Sequence, residues 1–245
     1  MLLSKEGVAI SAADPDRRLE HLSRASEELR TLHLSMEAQL IEWVGLFLPS
    51  ARFETNRGSV AGRLSEVASL TEFATALEVD DAHEQPTPSE WKALHGWAVM
   101  VANQRRQLDQ LEHAIRVSAQ AHLPSVSTLV GPLLAARLCV EAHGRLRLAR
   151  LPSGTVQVLG AEKAFFNHLR NGSAPPKHGH IFMHPWISRS PRWIRGKIAR
   201  MLASKISIAA RIDAFGGTPM TQEDVDKVEA KVEAIRTEFS TPKRR

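Results

Sequence analysis

The sequence predicts an all-α protein in which a helical coiled-coil hairpin is followed by a compact helical domain. Two long segments in the first half repeat apolar residues at helical spacing, and cap residues or prolines bound most of the other segments. Extended structure is expected only in two short pieces, Thr155–Leu159 and Ile181–Phe182. We expect residues 1–124 to form helical arms, residues 125–217 a compact domain, and residues 218–245 a C-terminal helix with a basic tail.

The first arm is expected to begin at Asp14-Pro15, where a cap residue precedes a proline at the first helical position. Residues 1–13 before it are expected to be poorly ordered. Along the arm, apolar residues recur every seven positions and further residues fill the companion positions of an a/d pattern. The repeating residues are Leu22, Leu29, Met36 and Trp43, the companion residues are Ala25 and Leu32, and Pro49 is expected to end the helix.

The second arm follows a weaker stretch in which a shorter helix is expected over Leu64–Leu77. Thr87 to Glu90 combine a cap residue, a proline and a capping-box acid. The seam behind them consists of Trp91, Leu94, Ala98, Val101, Leu108 and Ile115, and Pro124 closes it. Two such helices predict an antiparallel hairpin. Its apolar stripes fit either an ordinary bundle core or an arm that pairs with a second chain.

The second half of the chain is expected to contain shorter helices separated by turns. Asn171-Gly172 and Pro175-Pro176 indicate a loop. The expected helices are Leu129–Leu148, Ala161–Leu169, a long helix from Ser190-Pro191 to about Phe215, and a last helix from the capping box at Thr221–Asp224. The basic tail is Pro242–Arg245.

The charge of this half is strongly positive. From Arg137 to Asp213 the sequence has 14 Lys and Arg residues against 3 acids, a net charge of +11. Clustered positive charge is typical of proteins that bind a polyanion, above all RNA or DNA, although a solvated basic face gives the same count. No run approaches the roughly 18 apolar residues of a membrane span, so no membrane partner is expected.

The sequence offers little for catalysis. It lacks the glycine-rich motifs that cradle phosphates, and Cys139, the single cysteine, lies in an apolar segment typical of a buried, inert thiol. The best enzymatic lead is a histidine cluster with Glu162 nearby, which a metal-dependent hydrolase could use. The cluster consists of His168, His178, His180 and His184. Hydrogen-bonding or RNA-stacking histidines are the favoured interpretation, so we expect no catalytic residue, no cofactor and no metal.

The long helix that follows Pro191 is expected to have two distinct faces. At about 100° per residue, Ile198, Leu202, Ile206 and Ala209 share an apolar stripe that should face the core. A separate polar stripe carries Lys197, Arg200, Ser204 and Arg211. Small residues at Gly196 and Ser204 keep the nearby surface low. Such a helix can present cations to phosphates while its other side is anchored.

An ordered series of sequence blocks resembles the Nop domain of the scaffold proteins of box C/D ribonucleoproteins and of a related spliceosomal factor. The resemblance covers about seventy residues, and the preceding helical hairpin is similar to the family's coiled-coil arms. The blocks are Leu148–Gly154, Val156–Lys163, Pro176–Gly179, Arg195–Arg200 and Ala209–Asp213.

The resemblance implies an all-helical domain that binds a kink-turn RNA already held by a small ribosomal-protein-like partner. It implies that basic residues matching Arg150, Lys177, Lys197 and Arg200 lie at that surface, with the turn at Ser153 and the Gly160–Lys163 turn. The full set of expected binding residues is Arg150, Ser153, Gly160, Ala161, Glu162, Lys163, Lys177, His178, Gly179, Arg195, Lys197, Arg200 and Ser204.

The family's scaffolds also carry an N-terminal domain that binds the methyltransferase fibrillarin. Because the first arm is expected near residue 14, the resemblance leaves fibrillarin a doubtful partner and predicts a short family member or a fragment. Two functions stay open: a box C/D-type scaffold that dimerises through its arms, or a stand-alone RNA-binding regulator outside fibrillarin-dependent methylation. The expected location is cytoplasmic for an archaeal-type protein and nuclear or nucleolar for a eukaryotic one.

Overall fold

The computed structural model describes residues 2–53, 57–80, 82 and 84–241. Every regular element in these ranges is a helix, which confirms the all-α prediction. The chain divides into two compact units: the first joins the N-terminal residues through Ser23 to the chain from His113 onward, and the second is Arg24–Glu112. These units do not decide where functional domains begin, so the expected boundaries at residues 124 and 217 stay a prediction.

Helix α1 (Leu2–Ala13) precedes helix α2 (Pro15–Phe47), so the expectation that residues 1–13 are poorly ordered is wrong for residues 2–13. That segment contains no proline and a single glycine, so its backbone does not oppose a helix. Asp14 caps α2 as expected: the backbone N–H of Asp16 donates to Asp14 Oδ1 at 2.9 Å.

The buried seam of α2 differs in part from the expected one. The seven-residue repeat from Leu22 to Trp43 is half-buried, in agreement with the pattern. The companion positions are wrong, because Ala25 is exposed and Leu32 is 58% exposed. The buried companions lie three residues N-terminal to each repeat position, where two polar side chains hid the pattern. They are Leu19, Ser26, His33 and Leu40.

The second unit continues with a 3-10 helix (Pro49–Phe53), α3 (Arg57–Glu66) and α4 (Leu70–Ala76). A single helix over Leu64–Leu77 is therefore wrong. The break arises because Ser69 starts a new helix: its hydroxyl accepts a hydrogen bond from the Glu72 N–H at 3.2 Å.

Helix α5 (Pro88–His122) follows the predicted pattern. The Thr87 N–H donates to Glu90 Oε2 at 2.8 Å, which confirms the expected capping box. The seam residues Leu94, Ala98, Val101, Leu108 and Ile115 are buried and Trp91 is half-buried. The second arm is thus a helix with the predicted apolar face.

Three short helices follow: α6 (Pro124–Val130), α7 (Pro132–Glu141) and α8 (Arg145–Arg150). One helix over Leu129–Leu148 is wrong because the backbone leaves the helical region twice. Gly131 has a φ of +82° before a proline, and His143 and Gly144 have φ values of +58° and +116°.

The two expected extended pieces are also helical. Residues 153–158 form α9 (Ser153–Val158), and residues 180–183 form a 3-10 helix (His180–Met183). The β-branched residues of α9 predicted a strand, but packing decides the conformation of so short a segment. Val156 is fully buried in the core that α9 forms with its neighbours.

The remaining helices are α10 (Glu162–Asn171), α11 (Pro185–Ser188), α12 (Arg195–Phe215) and α13 (Gln222–Glu238). Helix α12 begins later than expected because residues 191–194 form a turn closed by the Ile194 N–H and the Pro191 carbonyl at 3.1 Å. The expected capping box of α13 is present between Thr221 and Asp224.

Helix α12 lies at the centre of the first unit and packs against α6, α8 and α9. Both of its predicted stripes are confirmed. The apolar residues Ile198, Leu202, Ile206 and Ala209 are fully buried, and Lys197, Arg200, Ser204 and Arg211 are exposed. Asp213 caps α6, since its carboxylate accepts from the Ser125 and Val126 N–H groups at 2.8 and 3.0 Å.

Across the described ranges, none of the helices combines the length and apolarity that a membrane crossing requires. The basic tail Pro242–Arg245 lies outside the described residues.

Candidate nucleic-acid interface

The predicted loop Lys177–Gly179 is held tightly against the end of α9. The Gly179 N–H donates to the Gln157 carbonyl at 2.8 Å, and the Gln157 amide donates to the Lys177 carbonyl at 2.7 Å. A Cβ at Gly179 would lie 2.0 Å from the carbonyl oxygen of Leu159. Only glycine permits this approach, so the loop has a fixed position beside the next predicted element.

That next element is the turn Gly160–Lys163. Gly160 has a φ of +81°, and its N–H donates to Glu162 Oε1 at 2.7 Å. Ala161 is half-buried at the start of α10, and Lys163 is exposed. Gly160 and Glu162 therefore shape the turn, whereas Lys163 places an exposed charge at its surface.

The loop also reaches the start of α12. A Cβ built on Gly196 would lie 4.0 Å from both Cβ and Cδ of Lys177, so the lysine stem runs over the glycine. Arg195 is half-buried, and its guanidinium donates to the carbonyls of Ser190 at 2.8 Å and Ser188 at 3.1 Å. Lys177 thus keeps an exposed cation here, and Arg195 holds the preceding turn.

A short stack of rings supports this end of the surface. His178 lies against Phe182 with ring centroids 4.5 Å apart, and the Arg195 guanidinium carbon lies 5.3 Å from the centre of the same ring. Burial, with the charges of Arg195 and Lys177, lowers the pKa of His178. The ring is therefore neutral at neutral pH and can stack or hydrogen-bond.

Lys197, Arg200 and Ser204 line a groove between α12 and α13 with a volume of about 530 Å³. Lys197 Nζ lies 3.9 Å from the centre of the Phe239 ring. The groove adds two cations that the sequence did not suggest, Lys205 and Lys231. Lys205 lies beside the predicted polar stripe, and no sequence signal placed α13 next to α12, so both were missed.

Arg150 and Ser153 lie toward the other end of α12. Arg150 is the exposed last residue of α8, and Ser153 is the exposed first residue of α9. The Arg211 Nε donates to the Ala149 carbonyl at 3.3 Å, which places Arg150 near the C-terminal part of α12. Gly196 and Arg211 are fifteen residues apart on that helix, or roughly 22 Å. The predicted residues thus form two groups along one helix.

Helix α10 has an apolar face that the sequence analysis did not single out. Phe165, Phe166 and Leu169 are 42%, 61% and 64% exposed, and the helix has no buried residue. The sequence pattern that could have revealed this face is the spacing of one and four residues from Phe165, because it places the three side chains on one side of a helix. An exposed face of this kind is typical of a contact with a partner.

The four histidines of the predicted cluster contact different groups. His168 pairs with the Ser173 carbonyl, and His180 Nε2 lies 3.2 Å from Glu141 Oε2. His184 Nδ1 accepts from the Trp186 N–H at 3.2 Å, and burial lowers its pKa to about 4. With His178 stacked on Phe182, each histidine has a separate local role.

Comparison with known proteins gives relatives with NOP5-family and nucleolar-protein names. An uncharacterized NOP5 family protein of Methanocaldococcus jannaschii is 33% identical over an alignment of 258 positions. The alignment covers 98% of this chain and 62% of the relative. Nucleolar protein 56 of Mus musculus is 44% identical over 118 residues, 48% of this chain and 20% of the relative. The chain spans about three fifths of the archaeal relative's length.

The solved structures agree on the fold. A chain from the crystal structure of a fibrillarin/Nop5p complex matches with a TM-score of 0.58 and 24% identity, covering 96% of this chain and 75% of that one. A family model described as "Nop: snoRNA binding domain, fibrillarin" matches residues 39–234. Because this match covers most of the sequence, the chain belongs to the Nop family.

Proposed function

We propose that this chain is a non-catalytic RNA-binding scaffold that recognises a kink-turn RNA together with its small ribosomal-protein-like partner, as in box C/D ribonucleoproteins. The observation that carries the proposal is the two groups of exposed cations along α12 in a Nop-family fold, separated by about 22 Å. Lys177, Lys197 and Arg200 belong to the group near the start of the helix, and Arg150 lies near its C-terminal part. This spacing suits a folded polyanion better than a small ligand.

The arrangement supports recognition of shape over base sequence. Lys177, Lys197 and Arg200 are exposed and can contact phosphates, which fixes position without reading bases. His178 adds a neutral ring that can stack on an unpaired base. The apolar face of α10 supplies a neighbouring surface for the protein partner. Together these features favour a composite RNA-protein ligand.

The proposal is tested by a gel shift with a kink-turn RNA, with and without the ribosomal-protein-like protein bound to it. We expect strong binding to the RNA-protein complex and much weaker binding to the free RNA. A regular duplex of equal length and charge is the control, because it presents the same phosphates in a different shape. Equal affinity for the complex and the duplex would contradict recognition of a kink-turn assembly.

A pull-down with fibrillarin separates the two functions open for a Nop-family chain. Capture of fibrillarin would support a box C/D methylation scaffold, and its absence alongside intact kink-turn binding would support a stand-alone RNA-binding regulator.

We further propose that the helical arms pair two copies of the chain. Helix α2 exposes Leu32 and Leu34 at 58% and 57%, which favours such pairing. An archaeal-type cytoplasmic or a eukaryotic nucleolar location follows from the same assignment.

A further inference from the structure

Three potential metal ligands from distant parts of the chain converge outside the RNA-binding surface. A carboxylate oxygen of Asp16, a ring nitrogen of His122 and the sulfur of Cys139 all lie within 4.8 Å of one another. They come from the first turn of α2, the end of α5 and the last turn of α7. His122 is 9% and Cys139 1% exposed, whereas the Asp16 side chain is 31% exposed. The cluster is therefore buried on two sides and reaches solvent at the carboxylate.

The surrounding contacts hold these groups in place. Asp16 Oδ1 lies 2.6 Å from His122 Nε2, accepts the Cys139 thiol at 3.3 Å and accepts the Arg145 backbone N–H at 3.0 Å. A Cβ at Gly144, which has a φ of +116°, would lie 2.7 Å from Asp16 Oδ2. The backbone of the turn before α8 thus cradles the carboxylate, as outer contacts do for carboxylates that ligate metals.

We propose that Asp16, His122 and Cys139 bind a zinc ion, with water as the fourth ligand on the exposed side. Thiolate, imidazole and carboxylate are the three zinc-binding groups of proteins, and zinc takes four ligands at about 2.0 to 2.3 Å. Tetrahedral bonds of that length place ligand atoms about 3.5 Å apart. The separation between Cys139 and Asp16 fits already, and the separation between His122 and Asp16 has to widen by about 1 Å.

The charges of the donor groups also match those of a divalent cation. Zinc binding displaces the thiol proton to solvent, so one proton leaves as the zinc–sulfur bond forms. The thiolate and carboxylate then balance the two positive charges of the ion.

Such an ion would join the start of α2 to the ends of α5 and α7. It would stabilise the first compact unit without touching Lys177, Lys197 or Arg200. The site is thus independent of the proposed RNA function, and its failure would leave that function intact.

Cobalt substitution tests the proposal directly on the full chain. Purified protein is stripped with a chelator, titrated with Co²⁺ and examined for the charge-transfer absorption of a cobalt–thiolate bond. Because Cys139 is the single cysteine, we expect a band that saturates at one equivalent and that added Zn²⁺ removes. Zn²⁺, unlike Mg²⁺, is also expected to raise the melting temperature by several degrees.

Two variants separate this site from binding elsewhere. Cys139→Ser keeps a hydrogen-bond donor to Asp16 but should lose the band and the thermal shift. His113→Asn, at an exposed histidine of α5, should behave like the wild type. Zinc uptake without a thiolate band, or an equal thermal shift in Cys139→Ser, would overturn the proposal and leave a hydrogen-bonded cluster. If Cys139→Ser folds too poorly for a melting measurement, its zinc content, measured by metal analysis, takes the place of the thermal shift.

Discussion

The double substitution Lys197→Ala with Arg200→Ala removes two exposed cations from the groove between α12 and α13. Neither side chain contributes to the buried stripe of α12, so the helix should keep its packing. Lys197 loses its contact with the Phe239 ring, which lies 3.9 Å away. An exposed contact of this kind contributes about 0.5 to 1 kcal/mol, so the free energy of unfolding should fall only slightly.

The expected loss of binding follows from counterion release. Each phosphate that a cation neutralises releases about 0.7 to 0.9 counterions, and at about 0.15 M salt this contributes about 1 kcal/mol. Two lost contacts therefore weaken binding by about 2 kcal/mol, or roughly 30-fold in Kd. The slope of log affinity against log salt should fall by about 1.5.

The assay is a titration of the partner-bound kink-turn RNA at several salt concentrations, followed by gel shift. The matched control is Lys92→Ala with Arg106→Ala, which removes two exposed cations of α5 from the other compact unit. That control should bind like the wild type with an unchanged salt slope. If the two double variants bind equally well, the stripe on α12 does not contact phosphates and the reasoning fails.

Three further predictions test the framework of the first compact unit by chemical denaturation. Gly160→Ala should cost about 2 kcal/mol because the residue has a φ of +81°, whereas Gly154→Ala in an open helical position should be neutral or slightly stabilising. His184 is held neutral, with its pKa lowered to about 4 by burial. The contribution of neutral His184 to the free energy of unfolding is therefore present above about pH 6.5 and is lost as the pH falls toward 4. Relative to His184→Asn, the wild type should lose about 1 to 3 kcal/mol of stability over this range. Asp213→Ala should cost about 1 to 2 kcal/mol through the lost cap of α6, and equal stability to wild type would contradict that role.

Periodic segments were predictable from the sequence because their burial follows a simple helical repeat. The seam from Leu94 to Ile115 and the two stripes of α12 lie where the pattern placed them. The first seam was only half predictable, since its buried line includes Ser26 and His33. Polar residues at such positions carry no hydrophobic signal, so a pattern of apolar residues cannot find them.

Short segments were less predictable because distant contacts decide their conformation. Residues 153–158 are rich in β-branched side chains, yet they form a helix whose Val156 is fully buried. The same limit applies to the candidate interface. Lys231 joins the groove only because α13 packs beside α12, a long-range pairing that local sequence does not encode.

The predicted binding residues divide into those that build the surface and those that present charge on it. Arg195 donates to the carbonyls of Ser188 and Ser190, and Glu162 accepts the Gly160 N–H, so these charges are used within the fold. Lys177 and Arg200 are exposed and keep their charges available. A scaffold needs a rigid surface as well as charge, so the two kinds of residue should respond differently to substitution. Loss of Arg195 should lower both stability and RNA binding, whereas loss of Arg200 should lower RNA binding alone.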